Sequence, residues 1–143
     1  MKKQITNILW TGGRDSAYRI VQLSFLDIAI QPIYVIDPGR GSIDYELKSM
    51  NRIVLELQKR KGTHARFLPI LAYNLSDIPK NDEVSIAYET IRESVKIGSQ
   101  YEWLGWLALQ YPGIEIGIEK PQGEFNGCVA AVEKYGKFKI GNC

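Results

Sequence analysis

The residues best suited to chemistry form one short segment near the start of the sequence, Thr11-Gly12-Gly13-Arg14-Asp15-Ser16. Two adjacent glycines let the backbone turn sharply and bring its N–H groups against an anion with no Cβ in the way. Asp15 and Ser16 suit a cluster of phosphate and Mg²⁺, with Asp15 as a metal ligand directly or through water. Both are also ordinary helix N-cap residues, which is the alternative interpretation. The segment predicts a phosphate-binding loop.

The elements on either side of this segment are those that such a loop needs. A short apolar strand at Thr6–Trp10 precedes it, and a helix-forming run from Ala17 to Leu26 follows. The positive end of that helix, with its unpaired N–H groups, would point at the same place. The spacing excludes both the G-x-x-x-x-G-K-[ST] loop and the G-x-G-x-x-G dinucleotide fingerprint.

The rest of the sequence predicts alternating strands and helices. Strands are expected at residues 31–36, 67–71 and 114–118, and Pro69 favours an edge position for the second of these. Helices are expected at residues 42–61, from Asn81 or Asp82 to about Val95, and from Ser99 to near Tyr111. Right-handed β-α-β units then give an α/β fold, a doubly wound, mainly parallel sheet with helices on both faces.

Ligands of such sheets lie at the carboxyl ends of the strands, where the loop at residues 11–16 is expected. Asp37 directly follows the second strand and could face the ribose or the adenine of a nucleotide. An Asp-Pro turn explains this residue equally well. His64 is expected to be a surface loop residue, and Trp10 a core residue.

The segment Thr11–Ser16 resembles the S-G-G-x-D-S signature of the PP-loop ATP pyrophosphatase superfamily, with Thr11 in place of the leading Ser. Residues 9–13, 34–40 and 98–104 look like the branch related to 7-cyano-7-deazaguanine synthases, which serve queuosine biosynthesis. The resemblance covers roughly residues 8 to 120. It implies a Rossmann-like domain of the adenine nucleotide alpha-hydrolase type.

The resemblance implies an ATP-dependent ligase that splits ATP to AMP and pyrophosphate and adenylates a small acid acceptor, with Mg²⁺. Gly12, Gly13 and the backbone around Arg14 would hold the β- and γ-phosphates, and the hydroxyls of Thr11 and Ser16 would donate to phosphate oxygens. The side chain of Arg14 is as well suited to solvent as to phosphate. No catalytic residue is assigned, because a carboxylate that attacks phosphorus needs no base.

Two further expectations follow from the same resemblance. Ser99 and Gln100 would bring a second helix N-terminus toward the nucleotide, although a capping box with Glu102 explains them equally well. The other candidate function is a nucleotide-binding module without turnover, or a subunit of a larger modification or defence complex.

Composition limits the class of protein. The 143 residues suit one domain, 1–143, with 45% hydrophobic and 24% charged residues as in ordinary globular proteins. A net charge of +2 does not argue for nucleic acid as a partner, and Lys59-Arg60-Lys61 is better explained as a solvated helix end than as a binding patch. No apolar run approaches the ~20 residues of a membrane span, and no signal-type core follows the start. These features favour a cytoplasmic protein.

The cysteines bear on the metal content. Cys128 and Cys143, with the single His64, are too few for a four-ligand zinc site. The deazaguanine synthases carry such a site in their C-terminal part, so residues 121–143 are expected to begin a truncated or reduced version of that part. An acceptor site would then need further chain, a partner subunit or a homo-oligomer.

Overall fold

The computed structural model describes residues 3–11, 13–39 and 41–116. These form two compact units, of which the first contains the described residues up to Ile78 together with 111–116, and the second is Pro79–Gln110. The expectation of a single domain over 1–143 stays a prediction, and residues 121–143 lie outside the described part.

The first unit alternates strands and helices along the chain. Its elements are β1 (Ile5–Leu9), α1 (Arg14–Ser24), β2 (Ala29–Ile36), α2 (Ile43–Lys59), β3 (Arg66–Phe67) and β4 (Leu71–Asn74), followed by a 3₁₀ turn at Leu75–Asp77. The second unit contains α3 (Asp82–Ser94) and α4 (Gln100–Gln110). The predicted helices are therefore present, but α1 begins three residues before Ala17, so that residues 14–16 form its first turn.

The strands of the first unit pair in parallel. β1 lies beside β2 with Ile5 opposite Ala29 and Leu9 opposite Ile33, and β3 and β4 pair with successive parts of β2. On the other side of β1, Glu115 forms a parallel bridge with Ile8. This open parallel sheet with its connecting helices confirms the α/β class.

The strand predicted at residues 67–71 was wrong in its bounds. Two short strands replace it, and Tyr73, which lies beyond the predicted end of that strand, belongs to β4. The break falls at Pro69, which has no N–H to donate to a ladder. Its carbonyl instead accepts a bond of 2.8 Å from the side-chain amide of Gln31. Within the described residues β3 and β4 pair with β2 alone, which agrees with the predicted edge position.

The core of the first unit lies between the sheet and its two helices. Trp10 is fully buried there, as predicted, and α2 contributes Met50 and Leu57. Both belong to a stripe of apolar residues that recur every three or four positions along α2: Ile43, Leu47, Met50, Val54 and Leu57. The other buried members of the core cluster are Ile8, Ile20, Leu23, Ile30 and Tyr34. Leu9, Ile33 and Val35, whose side chains alternate with those of the core face, are buried as well. Both faces of the central strand are thus shielded, as in other parallel sheets.

The second unit is a pair of packed helices. The side-chain oxygen of Asn81 accepts the N–H of Val84 at 2.9 Å, so one of the two predicted caps begins α3. The indole N–H of Trp106 on α4 bonds the Asn81 carbonyl and the Ser85 hydroxyl, both at 3.2 Å. Gly105 permits the helices to approach closely. None of the described helices is both long and apolar enough to cross a membrane.

Candidate functional site

The predicted loop is a tight connection between β1 and α1. The N–H of Trp10 still bonds the carbonyl of Ile33 in the sheet at 2.8 Å, and helix α1 begins at Arg14. Gly13 is the N-cap of α1, with φ −85° and ψ 173°, a conformation open to any residue. A Cβ on Gly13 would find its nearest neighbour, the Thr11 hydroxyl, at an ordinary 3.5 Å. The fold therefore does not require glycine here, although a backbone that binds an anion would.

The hydroxyls of the loop bond one another and the loop backbone. Thr11 Oγ1 lies 3.2 Å from Ser16 Oγ, which accepts the N–H of Thr11 at 3.3 Å. Ser16 Oγ also lies 3.3 Å from the Gly13 carbonyl, to which it donates, and the N–H of Gly13 lies 3.4 Å from Thr11 Oγ1. Ser16 is only 2% exposed. In this arrangement the hydroxyls fix the shape of the loop, and their donation to phosphate stays a prediction.

The groups suited to an anion are the N–H groups of the first turn of α1. The first N–H groups of an α-helix have no carbonyl partner within it, and Gly13 has no side chain with which to cap them. Arg14 and Asp15 are exposed beside this turn. Gly12, the other glycine of the motif, lies outside the described residues. The geometry suits an anion that needs backbone donors and a positive helix end.

Asp37 follows β2, the strand next to the loop. Its carboxylate accepts the N–H of Gly39 at 3.0 Å, which is the turn that the Asp-Pro sequence favours. The residue is exposed, and its role toward a ribose or an adenine stays a prediction.

Two polar contacts around this edge of the sheet were missed by sequence reasoning. The buried hydroxyl of Tyr34 donates to the carboxylate of Glu46, whose other oxygen accepts from the Ser42 hydroxyl at 3.1 Å. The spacing of Ser42 and Glu46 at a helix start was a visible signal, but the contact with Tyr34 depends on how α2 packs on the sheet.

The second missed contact joins α1 to the segment beside β1. Arg19 donates to both oxygens of Glu115, at 2.7 and 3.0 Å. The two residues are 96 positions apart, so no local pattern could reveal the pair. A bidentate pair of this kind holds α1, and with it the loop, against the sheet.

Ser99 and Gln100 belong to the second unit and are exposed. The N–H of Glu102 bonds the backbone carbonyl of Ser99 at 3.3 Å, and that of Tyr101 bonds the carbonyl of Gly98 at 3.2 Å. These are the bonds of a helix start, and the proposed contact with a nucleotide stays a prediction.

One tyrosine of the first unit has a shifted pKa. Tyr73 on β4 and Tyr111 share a hydroxyl hydrogen bond, with their rings edge to face at a centroid distance of 6.0 Å. Burial, and then the bond with Tyr73, raise the pKa of Tyr111 to about 12. Its phenol therefore stays protonated at neutral pH and serves as a hydrogen-bonding group.

Among residues 3–11, 13–39 and 41–116, no group of three or more His, Cys, Asp or Glu side chains could enclose a metal ion. Mg²⁺ bound with phosphates needs only one or two carboxylates, since phosphate and water supply its other ligands. The exposed carboxylate of Asp15, in the first turn of α1, fits that requirement. Cys128 and Cys143 lie outside the described residues.

No known family's model matches the sequence, and neither curated proteins nor solved structures give a match. The loop and its surroundings are therefore what bears on function.

Proposed function

We propose that the protein binds ATP at residues 11–16 and splits it into AMP and pyrophosphate, transferring the AMP to the carboxylate of a small acid. The observation that supports this most directly is the strand–loop–helix unit, in which Gly13 is the N-cap of α1 and no side chain caps the N–H groups of the first turn. The motif in this unit is the one that resembles the PP-loop ATP pyrophosphatases.

The position of the loop in the sheet supports a ligand site. On one side of β1 lies β2, with β3 and β4 paired to its far edge. On the other side of β1, the segment at Glu115 pairs with Ile8. The order of strands therefore reverses beside β1. In doubly wound sheets ligands bind at the carboxyl end of the strands where this reversal occurs, and the loop follows β1 at that point. We interpret the sheet as doubly wound on this basis.

The chemistry follows from the groups of the loop. Backbone N–H groups at Arg14 and Asp15 would hold the β- and γ-phosphates. The N–H of Gly13 would join them on leaving its present partner, the hydroxyl of Thr11 at 3.4 Å. Asp15 would hold Mg²⁺, which supplies neutralisation of phosphate charge. An oxygen of the acceptor carboxylate attacks the α-phosphorus, the bond from that phosphorus to the bridging oxygen breaks, and pyrophosphate leaves. The carboxylate is already ionised at neutral pH, so the enzyme contributes position and electrostatic stabilisation.

The acceptor class rests on the family resemblance, which points to a small acid such as a carboxylated deazapurine. We further propose a cytoplasmic location, which the composition favours, and an acceptor site that is completed by a partner subunit or a second copy. Asp37 is the proposed further contact of the nucleotide.

A nucleotide-binding module without turnover is the second candidate. The hydrogen bonds among Thr11, Gly13 and Ser16 favour it, because hydroxyls occupied within the loop are not then donors to a leaving pyrophosphate. Such a protein would bind ATP through backbone N–H groups alone.

Pyrophosphate release separates these candidates. The protein is incubated with Mg-ATP and, in separate reactions, with deazapurine and other small carboxylic acids, and pyrophosphate is measured with a coupled assay. Adenylation predicts release that depends on one acid and disappears in Asp15→Ala. Asp82→Ala is the matched control, because Asp82 also lies in the first turn of a helix but far from any glycine loop in sequence. ATP binding without release for any acid would favour the binding module.

A further inference from the structure

At the opposite edge of the sheet, where the strands begin and α1 and α2 end, the cations of residues 59–66 lie together with Lys3 from the start of the chain. We propose that this edge binds single-stranded nucleic acid. The surface, named the basic edge, consists of the cations Lys3, Lys59, Arg60, Lys61 and Arg66 together with the imidazole of His64, all of them exposed.

Contacts within the first unit bring these residues together. Lys3, just before β1, donates to the carbonyl of His64 at 3.3 Å. The N–H of His64 bonds the carbonyl of Ser24 at the end of α1 at 2.9 Å. Arg66 pairs with Ala29 at the start of β2. The ends of two helices and the starts of three strands thus contribute to one edge.

The acidic residues near this edge do not cancel its charge. Asp27 forms an ion pair with Lys3 at 2.8 Å, and Glu56 lies 3.9 Å from Lys59. The hydrogen bond from Lys3, followed by its charge, keeps the pKa of Asp27 below its usual value, so this carboxylate stays ionised. The whole chain has 18 Lys and Arg against 16 Asp and Glu, so the excess at this edge is local. A local cationic surface is what a phosphate backbone recognises.

An exposed aromatic ring at the basic edge favours nucleic acid over a simple phosphate ion as the ligand. Phe25, at the end of α1, is 46% exposed, and the guanidinium of Arg60 lies 5.2 Å from its ring centroid. Bases of single strands stack on aromatic rings and on guanidinium planes beside cationic grooves. This ring–guanidinium pair therefore offers a stacking position within the basic edge.

Stabilisation of a helix end explains only part of the arrangement. Lys59, Arg60 and Lys61 complement the negative end of α2, as the sequence suggested. Lys3 and Arg66 lie at the starts of strands, where no helix carbonyls need a cation, because sheets have only small net dipoles. In the folded protein, Lys3 and Arg66 therefore extend the cationic surface beyond Lys59-Arg60-Lys61, which the sequence alone explains as a helix end.

Fluorescence anisotropy of the full chain with a labelled single-stranded 15-nucleotide RNA tests the proposal. Contacts with about four phosphates predict roughly 50-fold weaker binding when salt rises fourfold. The double variant Lys59→Glu, Lys61→Glu is expected to bind at least about tenfold more weakly. Lys80→Glu with Lys96→Glu is the matched control, because it changes the net charge equally at exposed residues of the second unit, and it should stay within about twofold.

Two further measurements complete the test. Phe25→Leu should weaken binding by about fivefold or more while circular dichroism shows an unchanged fold. Excess Mg-ATP should not displace the RNA, which separates this edge from the proposed nucleotide loop. Equal losses in both charge variants, displacement by Mg-ATP, or binding to vesicles of anionic phospholipid in place of RNA would overturn the proposal.

Discussion

Helices α1 and α3 begin in different ways, although each has an acidic residue in its first turn. At α3 the side chain of Asn81 accepts the N–H of Val84 at 2.9 Å and closes the helix start. At α1 the cap is Gly13, which has no side chain to offer. A capping side chain contributes about 1 kcal/mol, so the start of α3 is built for stability. The start of α1 forgoes roughly a few tenths of a kcal/mol, since glycine caps nearly as well as a hydroxyl residue, and no side chain caps the N–H groups of its first turn, as an anion site requires.

The largest expected effect is a loss of affinity for Mg-ATP when the start of α1 is altered. Replacing Gly13 with Val should lower the affinity for Mg-ATP by about 100-fold or more, because a branched side chain would occupy the position where phosphate meets the backbone. Stability should fall by no more than about 1 kcal/mol, since valine is a poorer N-cap than glycine, whereas the backbone at Gly13 suits any residue and a Cβ there has room. Calorimetric titration and thermal unfolding of the same samples check both parts. A large loss of stability would show that Gly13 serves the fold and not a ligand.

At Gly105, in the second unit, a substitution should lower the stability of the protein, in contrast to Gly13, where it should lower the affinity for a ligand. A Cβ on Gly105 would lie 2.5 Å from Cγ1 of Val84, so Gly105→Ala should destabilise the protein by about 1–2 kcal/mol after the gain in helix propensity is included. Urea unfolding measures the change, with Gly98→Ala as control, because a Cβ on Gly98 has no neighbour closer than 3.8 Å. Unchanged or increased stability would contradict the close packing of α3 on α4.

Exchanging the caps tests the comparison itself. Asn81→Ala should cost about 1 kcal/mol of unfolding free energy and leave ATP binding unchanged. Gly13→Ser should raise stability by a few tenths of a kcal/mol, since serine caps slightly better than glycine, and should weaken ATP binding. Opposite signs in stability and binding at Gly13 are the expected result. A gain in both at Gly13→Ser would mean that the open helix start has no binding role.

The smallest effect concerns pH. The pKa of Tyr111 is raised to about 12 from an ordinary value of 10.0, so the folded protein keeps this proton where the unfolded chain has lost it. This contribution to stability is complete below about pH 10 and is lost as the pH rises toward 12. Absorbance titration should show a late tyrosine step that is missing in Tyr111→Phe. A Tyr111→Phe profile identical to that of the unaltered protein would contradict the assignment.

What the sequence could and could not predict follows from the range of each interaction. The loop, the stripe of α2 and the Asn81 cap are local patterns, and the structure shows α2 and the cap as expected. The break of the edge strand at Pro69 depends on a bond from Gln31, 38 residues away. The Arg19–Glu115 pair can form because residues 114–116 lie beside β1 on the side away from β2. No local sequence pattern predicts that order of strands.

Isothermal titration of the purified chain with Mg-ATP, beside Asp15→Ala and Gly13→Val, tests the central claim most directly. We expect micromolar binding by the unaltered protein and its loss in both variants, whereas Asp82→Ala should bind Mg-ATP as the unaltered protein does. Absence of binding by the unaltered protein, or binding that both variants retain, would contradict an ATP site at residues 11–16.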